Sequence, residues 1–456
     1  MSHILLRNGL ILSMNERREM FEGGDVLVEN DIIKAVGAIP EESIPEGTEV
    51  VDVSGRMVLP GLVNTHVHLC QQLGRGLGDD VDLLTWLHDR TWPYELAMNE
   101  EDVHVSALAC CIELIKSGVT CFAEPGGRHV DAMGRAVREA GIRGILARST
   151  MDCGEGIRPE HRESTDEALS VQLELHDRWH DTSEGRIRYW MGLRTIFNNS
   201  DELLCRTKEI ADARGIGMHM HVSEVKEEVD FARATRGAST VEHLNNLGVL
   251  GPNLLAVHTV WLTPRELDLF RLHDVKVSHN PGAAMRVLGF AHVPEMLARG
   301  ICVSLGTDGA PCNNRMDMMD EMYLAAVIHK GRTLDPTTVP AERMLEMATV
   351  NGARAVLWDD QIGSLTPGKK ADLIVIDPMN GPGSVPVHDP VSSLVYSMHS
   401  SNVTHNMCNG RWVMRDRVVA GLDEAAILAE AQERAGHIRR RAGIELKPRF
   451  PVVKVR

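Results

Sequence analysis

Nowhere does this 456-residue chain approach the run of about 20 apolar residues that a membrane helix needs, and no basic-then-apolar leader opens it. Neither membrane insertion nor export is therefore expected, and the cytoplasm is the expected compartment. Cations are also short. Against 64 Asp and Glu stand 48 Lys and Arg, a formal charge of −16, opposite to what a nucleic-acid groove or an anionic lipid surface would attract. The nine cysteines are scattered, odd in number and contain no C-x-x-C pair. That excludes a disulfide framework and points to a reducing compartment. It also excludes the zinc deaminases built on H-x-E and P-C-x-x-C. Aromatics are sparse at 4%, yet 43% hydrophobic residues still suffice for a large core.

What is present is organised in three parts. Residues 4–9, 25–29, 32–36 and 49–53 are β-branched runs separated by Asn, Asp and Gly, a hairpin texture. The same texture returns at 370–377 and 403–419, where Asn409-Gly410 is a strong turn signal. The two ends are expected to pack together as one β-sandwich. Between them, eight apolar strand-like runs (58–68, 119–124, 143–151, 187–194, 217–224, 253–261, 275–280 and 302–309) alternate with stretches of helical periodicity such as 102–117, 201–214 and 264–273. Eight β–α alternations predict an α/β chain with a (β/α)8 TIM barrel. A doubly wound sheet fits less well, because no G-x-G-x-x-G turn follows the first strand. The expected division is 1–56 and 362–421 for the sandwich, 57–361 for the barrel, and 422–456 for a terminal helix and tail.

Barrel enzymes carry their chemistry at the C-terminal ends of the strands, and reactive side chains gather there in the sequence. His66-Val67-His68 ends the first predicted strand, and two histidines two apart on a strand face the same way and can grip one metal ion. His221 and Glu224 end the fifth, His258 lies on the sixth, His279 ends the seventh, and Asp308 ends the eighth. A single strand histidine is more often a packed, hydrogen-bonded residue than a ligand; this many on successive strands is a different matter.

These landmarks are P-G-L-V-N-T-H-V-H at 60–68, H-V-S-E at 221–224, H-T-V-W at 258–261, S-H-N-P at 278–281, G-T-D-G at 306–309 and G-S-L-T-P-G-K-K-A-D-L at 363–373. In this order and at these separations the chain resembles the amidohydrolase superfamily, in its cytosine-deaminase-like branch. The resemblance implies a barrel resting on a split β-sandwich. It implies His66, His68, His221 and Asp308 as ligands of one divalent metal. Zinc suits three imidazoles and a carboxylate, and iron(II) or manganese(II) uses the same ligand types. Binuclear relatives need a carboxylated lysine in mid-barrel, and no lysine lies between Lys116 and Lys208. It further implies that a metal-activated water attacks an amino-bearing ring carbon with loss of ammonia. Asp308 would accept the water's proton, Glu224 would protonate a ring nitrogen, and His258 would stabilise the attacking oxygen. His219, one step deeper than His221, is expected to be packed or to support a ligand.

The substrate is expected to be a small amino-substituted N-heterocycle of purine, pterin or triazine type, and the protein a homo-oligomer. Gln71, Trp86, Arg148 and His279 are the candidate substrate contacts. Relatives acting on adenosyl and methylthioadenosyl compounds carry a glutamate two residues before the tryptophan, and here that position is Leu84. A leucine cannot accept hydrogen bonds from ribose hydroxyls, so this departure weighs against nucleosides. Arg148 and Glu124 can contact substrate or pair with each other. Cys312 follows the G-T-D-G turn with no dedicated base nearby in sequence. The alternatives are a triazine-type chlorohydrolase or N-dealkylating hydrolase using the same site, or a deaminase of S-adenosylhomocysteine and methylthioadenosine.

Overall fold

A computed structural model describes residues 2–82, 85–154, 162–446 and 450–453. Eight parallel strands form the middle of the chain. They are Leu62–Asn64, Val119–Ala123, Arg143–Leu146 with Ser149–Thr150, Ile187–Tyr189 with Met191–Leu193, Met218–Val222, Leu254–His258, Lys276–His279 and Val303–Leu305. Each pairs with its sequence neighbour in parallel. The backbone N–H of Thr65 donates to the Leu305 carbonyl at 2.9 Å and joins the last strand to the first. The sheet is thereby a closed barrel. Strands such as Val119–Ala123 and Leu254–His258 are buried along their whole length, which is why they read as continuous apolar runs.

Several helices begin where a side chain caps them. Asn99 and Asp102 form a reciprocal capping box at the start of Glu100–Lys116. Thr263 and Glu266 do the same for Pro264–Leu272, with proline at the first helical position, where its missing N–H costs nothing. Ser200 caps Asp201–Arg214. The terminal helix Glu424–Arg441 lies against Glu100–Lys116, and Arg434 and Arg441 both pair with buried Asp102.

The strands from the two chain ends join as expected, but as one nine-stranded mixed sheet. His3–Leu12 makes it fork: one edge pairs antiparallel with Met20–Glu29, while the other pairs in parallel with Glu49–Asp52 and then with Met57–Pro60. The fork lets a single hydrogen-bonded network fold over its own core of Leu6, Ile11, Val26, Val28, Val58, Leu373 and Val375, among others. Met57–Pro60 pairs antiparallel with Leu373–Ile376, so the first expected strand is two elements. The change of partner falls at Gly61, where a Cβ would lie 2.1 Å from Thr120; only glycine allows that approach. Arg143 ties barrel to sheet through a buried two-pronged pair with Asp372, at 2.9 and 3.1 Å.

Candidate active site

The strand ends bring six reactive side chains into one buried space. The Nε2 atoms of His66 and His68 lie 3.3 and 3.4 Å from Oδ1 of Asp308. His66, His68 and Asp308 each offer one ligand atom within 4.8 Å of the others, and so do His66, His221 and His258. His66 belongs to both sets. Its ring centroid is 4.9 Å from that of His68, 5.0 Å from His221 and 5.4 Å from His258. The backbone at these strand ends is locally forced: Ser223, His258, Thr259 and Asp308 all have positive φ, between 51° and 70°, a region that non-glycine residues avoid unless tertiary packing holds them there.

Hydrogen bonds fix the ring orientations. The Nδ1–H of His221 donates to the Arg194 carbonyl at 3.0 Å, which leaves Nε2 as a lone pair. His66 Nδ1 meets Nε2 of His219 at 3.0 Å, so His219 braces a ligand candidate from beneath. His66 Nε2 is buried with no hydrogen-bond partner. A buried imidazole nitrogen without a partner, beside a carboxylate and two further imidazoles, is the donor set of a divalent cation. The residues fit such an ion.

Burial makes the imidazoles poor bases. It pushes the pKa values of His68 and His221 well below the ordinary range, helped by the charge of His66, and that of His258 down to about 3. They are neutral at pH 7, as ligands must be. Burial pushes the Asp308 carboxyl the other way, but the close His66 ring, 3.3 Å away, and then His258 and His68 outweigh that and hold it well below the usual range. Glu224 behaves oppositely. Burial, then the negative charges of Asp308 and Glu228, raise it to about 8. Its Oε1 lies 3.6 Å from Nε2 of His258. The side-chain amide of Asn280 donates to Nδ1 of His258 at 3.2 Å, which puts the imidazole proton on Nε2, facing Glu224 and Asp308.

The other expected residues are distributed unevenly. Gln71 is buried beside Gly309, donates to Glu95 at 2.7 Å, and has an unpartnered Oε1. Trp86 packs with Ala283 and Cys312, and its indole N–H reaches the Pro311 carbonyl at 3.4 Å. His279 meets Nε2 of His329 at 3.2 Å while its Nδ1 stays unpartnered. Arg148 pairs with Glu163 and not with Glu124. Glu124 instead accepts the backbone N–H groups of Leu69 and Gly126, holding the turn that follows His68. Burial pushes the Cys312 thiol well up, which leaves it protonated and a poor nucleophile. Leu84 lies outside the described residues.

Three contributors went unnoticed in the sequence. Glu228 accepts the backbone N–H groups of Ser223 and Glu224, both at 2.8 Å, and so sets the turn that aims Glu224. Asn280 orients His258; it stands inside the S-H-N-P landmark, a signal that was available. Arg194, at the end of the fourth strand, supplies the carbonyl that orients His221.

Fold and site together define a metal-dependent hydrolase of the barrel type. The chain belongs to the amidohydrolase family, whose profile matches residues 57–413. It is 37% identical to the 5'-deoxyadenosine deaminase of Methanosarcina mazei over 95% of this chain and 98% of that protein. Identity is 36% to the 5-methylthioadenosine/S-adenosylhomocysteine deaminase of Pelotomaculum thermopropionicum, over 95% and 98%. Among solved structures, an adenosine deaminase from Xanthomonas campestris with bound zinc superposes with a TM-score of 0.90 at 29% identity, covering 96% of this chain and 99% of that one. No helix among the described residues is long and apolar enough to cross a membrane.

Proposed function

We propose that this enzyme is a hydrolytic deaminase of amino-substituted, purine-type N-heterocycles, which replaces the ring amino group with oxygen and releases ammonia. The observation that carries the reading is geometric: His66, His68, His221 and Asp308 gather in one buried cluster, and the Glu224 carboxyl stands beside it, its Oε1 3.6 Å from Nε2 of His258. His66, His68, His221 and Asp308 would hold a single divalent metal, zinc matching that donor set best. When bound, such an ion supplies Lewis-acid activation of a water molecule.

The chain's own groups account for the remaining proton movements. Asp308, ionised at neutral pH, takes a proton from the attacking water and passes it to the departing amino group, which leaves as ammonia, while the proton of the added hydroxyl returns to Glu224 as the ring carbonyl forms. Glu224, about 90% protonated at pH 7 for a pKa of about 8, delivers one to the ring nitrogen next to the amino-bearing carbon and makes that carbon electrophilic. His258 directs its Nε2–H toward the oxygen where negative charge develops. Trp86, Gln71 and His279 are assigned to the substrate wall. The similarity to nucleoside deaminases puts adenine-type nucleosides first on the substrate panel, ahead of the free bases, pterins and triazines.

The test is release of ammonium, with chloride followed in parallel, from a panel of aminated purines, nucleosides, pterins and chlorotriazines, using protein of measured metal content. Ammonium from at least one purine-type member supports the reading. Chloride alone, or turnover unaffected by a chelator that strips the metal, would overturn it.

A further inference from the structure

Arg194 is the cation this site does not use. It follows the strand Met191–Leu193, whose register places Leu193 beside Met220, so Arg194 stands next to His221 and holds its ring through the backbone carbonyl. The residue is 8% exposed, yet among the described residues no carboxylate forms an ion pair with its guanidinium, and no protein acceptor takes a hydrogen bond from it. What exposure the side chain retains is small, so the guanidinium is held close to the buried residues around it. The charge nonetheless acts on His68, His221, His258 and Glu224, and on Glu95 and Glu124. Such a group is at the barrel mouth, amid the reacting residues.

A nearly buried guanidinium without a counter-ion is unfavourable for folding and is not retained for packing alone. Among the described residues every other arginine buried to a similar degree has an acceptor: Arg143 takes Asp372, and Arg186 takes the Ile142 carbonyl. Five N–H donors in a planar fork match a carboxylate or a polarised oxo oxygen. We propose that Arg194 anchors the substrate and selects aminated heterocycles that carry an oxygen acceptor of full or partial negative charge, either a ring oxo group or a substituent carboxylate. This rests on the deaminase reading and narrows its substrate class.

Two compound pairs separate the sources of that oxygen. Guanine against 2-aminopurine differs by a ring oxo group, and S-adenosylhomocysteine against methylthioadenosine differs by a zwitterionic amino-acid group that carries a carboxylate. Ammonia release gives kcat and KM for the wild type, Arg194→Met and Arg194→Lys. In the wild type, the acceptor-bearing member of one pair should be favoured at least about tenfold in kcat/KM, mainly through KM. Arg194→Met should abolish that preference, read as the kcat/KM ratio between the two members of the pair so that any change common to both cancels, and Arg194→Lys should restore part of it. The melting temperature of Arg194→Met should be unchanged or higher, since an unpaired buried charge is removed.

Equal losses on both members of each pair, no preference in either pair of the wild type, or a lower melting temperature with unchanged selectivity would overturn the assignment. Calorimetric titration of the same four compounds keeps the two readings apart. If neither these four nor any other purine-type member of the panel is deaminated, the functional reading falls, while tighter binding of the acceptor-bearing member to wild type than to Arg194→Met still supports the anchor.

Discussion

Replacing Glu224 by Gln removes one proton and little else, which makes it the sharpest probe of this site. The amide keeps the size of the carboxyl, and the braces from Glu228 go to the backbone of residues 223 and 224, so the turn should hold. An ordinary glutamate with a pKa of 4.5 would be about 0.3% protonated at pH 7, whereas at about 8 the fraction is about 90%. Burial therefore enriches the acid form about 300-fold, equivalent to roughly 3 kcal/mol. Loss of a general acid lowers turnover by about 10²- to 10⁴-fold. Glu224→Gln should fall in that range in kcat, measured by ammonia release, with metal content by elemental analysis unchanged. The required form is the protonated one, so wild-type kcat/KM should decline with unit slope as pH rises through about 8. Turnover within about threefold of wild type in the glutamine variant would refute the reasoning. So would activity that climbs through pH 8 to a plateau.

Other perturbations read other parts of the site. His66→Ala removes the one side chain common to both ligand sets, and elemental analysis of the purified variant should show metal occupancy well below wild type. His219→Ala removes the brace on His66 and should weaken metal affinity about 10- to 100-fold in a chelator competition, with turnover recovering in excess metal; unaltered affinity would make His219 simple packing. Burial raises Glu321 to about 8, where it accepts Gly282 N–H and the Asn313 amide. Its folded pKa exceeds the unfolded value, so the folded state binds more protons between about pH 4.5 and 8, and the stabilisation present at low pH is lost as pH rises through that window. The melting temperature of Glu321→Gln should therefore fall less than that of wild type between pH 5 and 8, and parallel curves would count against it.

The barrel could be read from sequence because parallel strands covered on both faces have no polar alternation to confuse them. Its chemistry could be read because histidines at strand ends interrupt apolar runs at fixed places. What escaped depends on partners remote in the chain. Arg194 in sequence is an arginine after a strand, indistinguishable from a solvated cation, and only the assembled mouth shows that no acceptor among the described residues answers it. Glu228 reads as a charged residue on a polar helix, because its acceptors' targets are backbone amides that carry no sequence signature. Glu124 takes its N–H from Leu69, 55 residues away, so of the two roles left open for it, substrate contact or a pair with Arg148, the pair does not form, and Arg148 turns to Glu163 instead. The forked sheet was hidden for a related reason: Gly61 looks like an ordinary turn residue until Thr120 is seen against it.

The sheet built from both termini also dictates an order of assembly during synthesis. Met57–Pro60 cannot acquire its neighbour Leu373–Ile376 until some 300 further residues have left the ribosome, an interval of about 15–60 s at 5–20 residues per second. Throughout that wait the nascent amino-terminal hairpins carry an unmated edge and a greasy face, so nascent-chain holdases and the tempo of translation should govern how much enzyme a cell recovers.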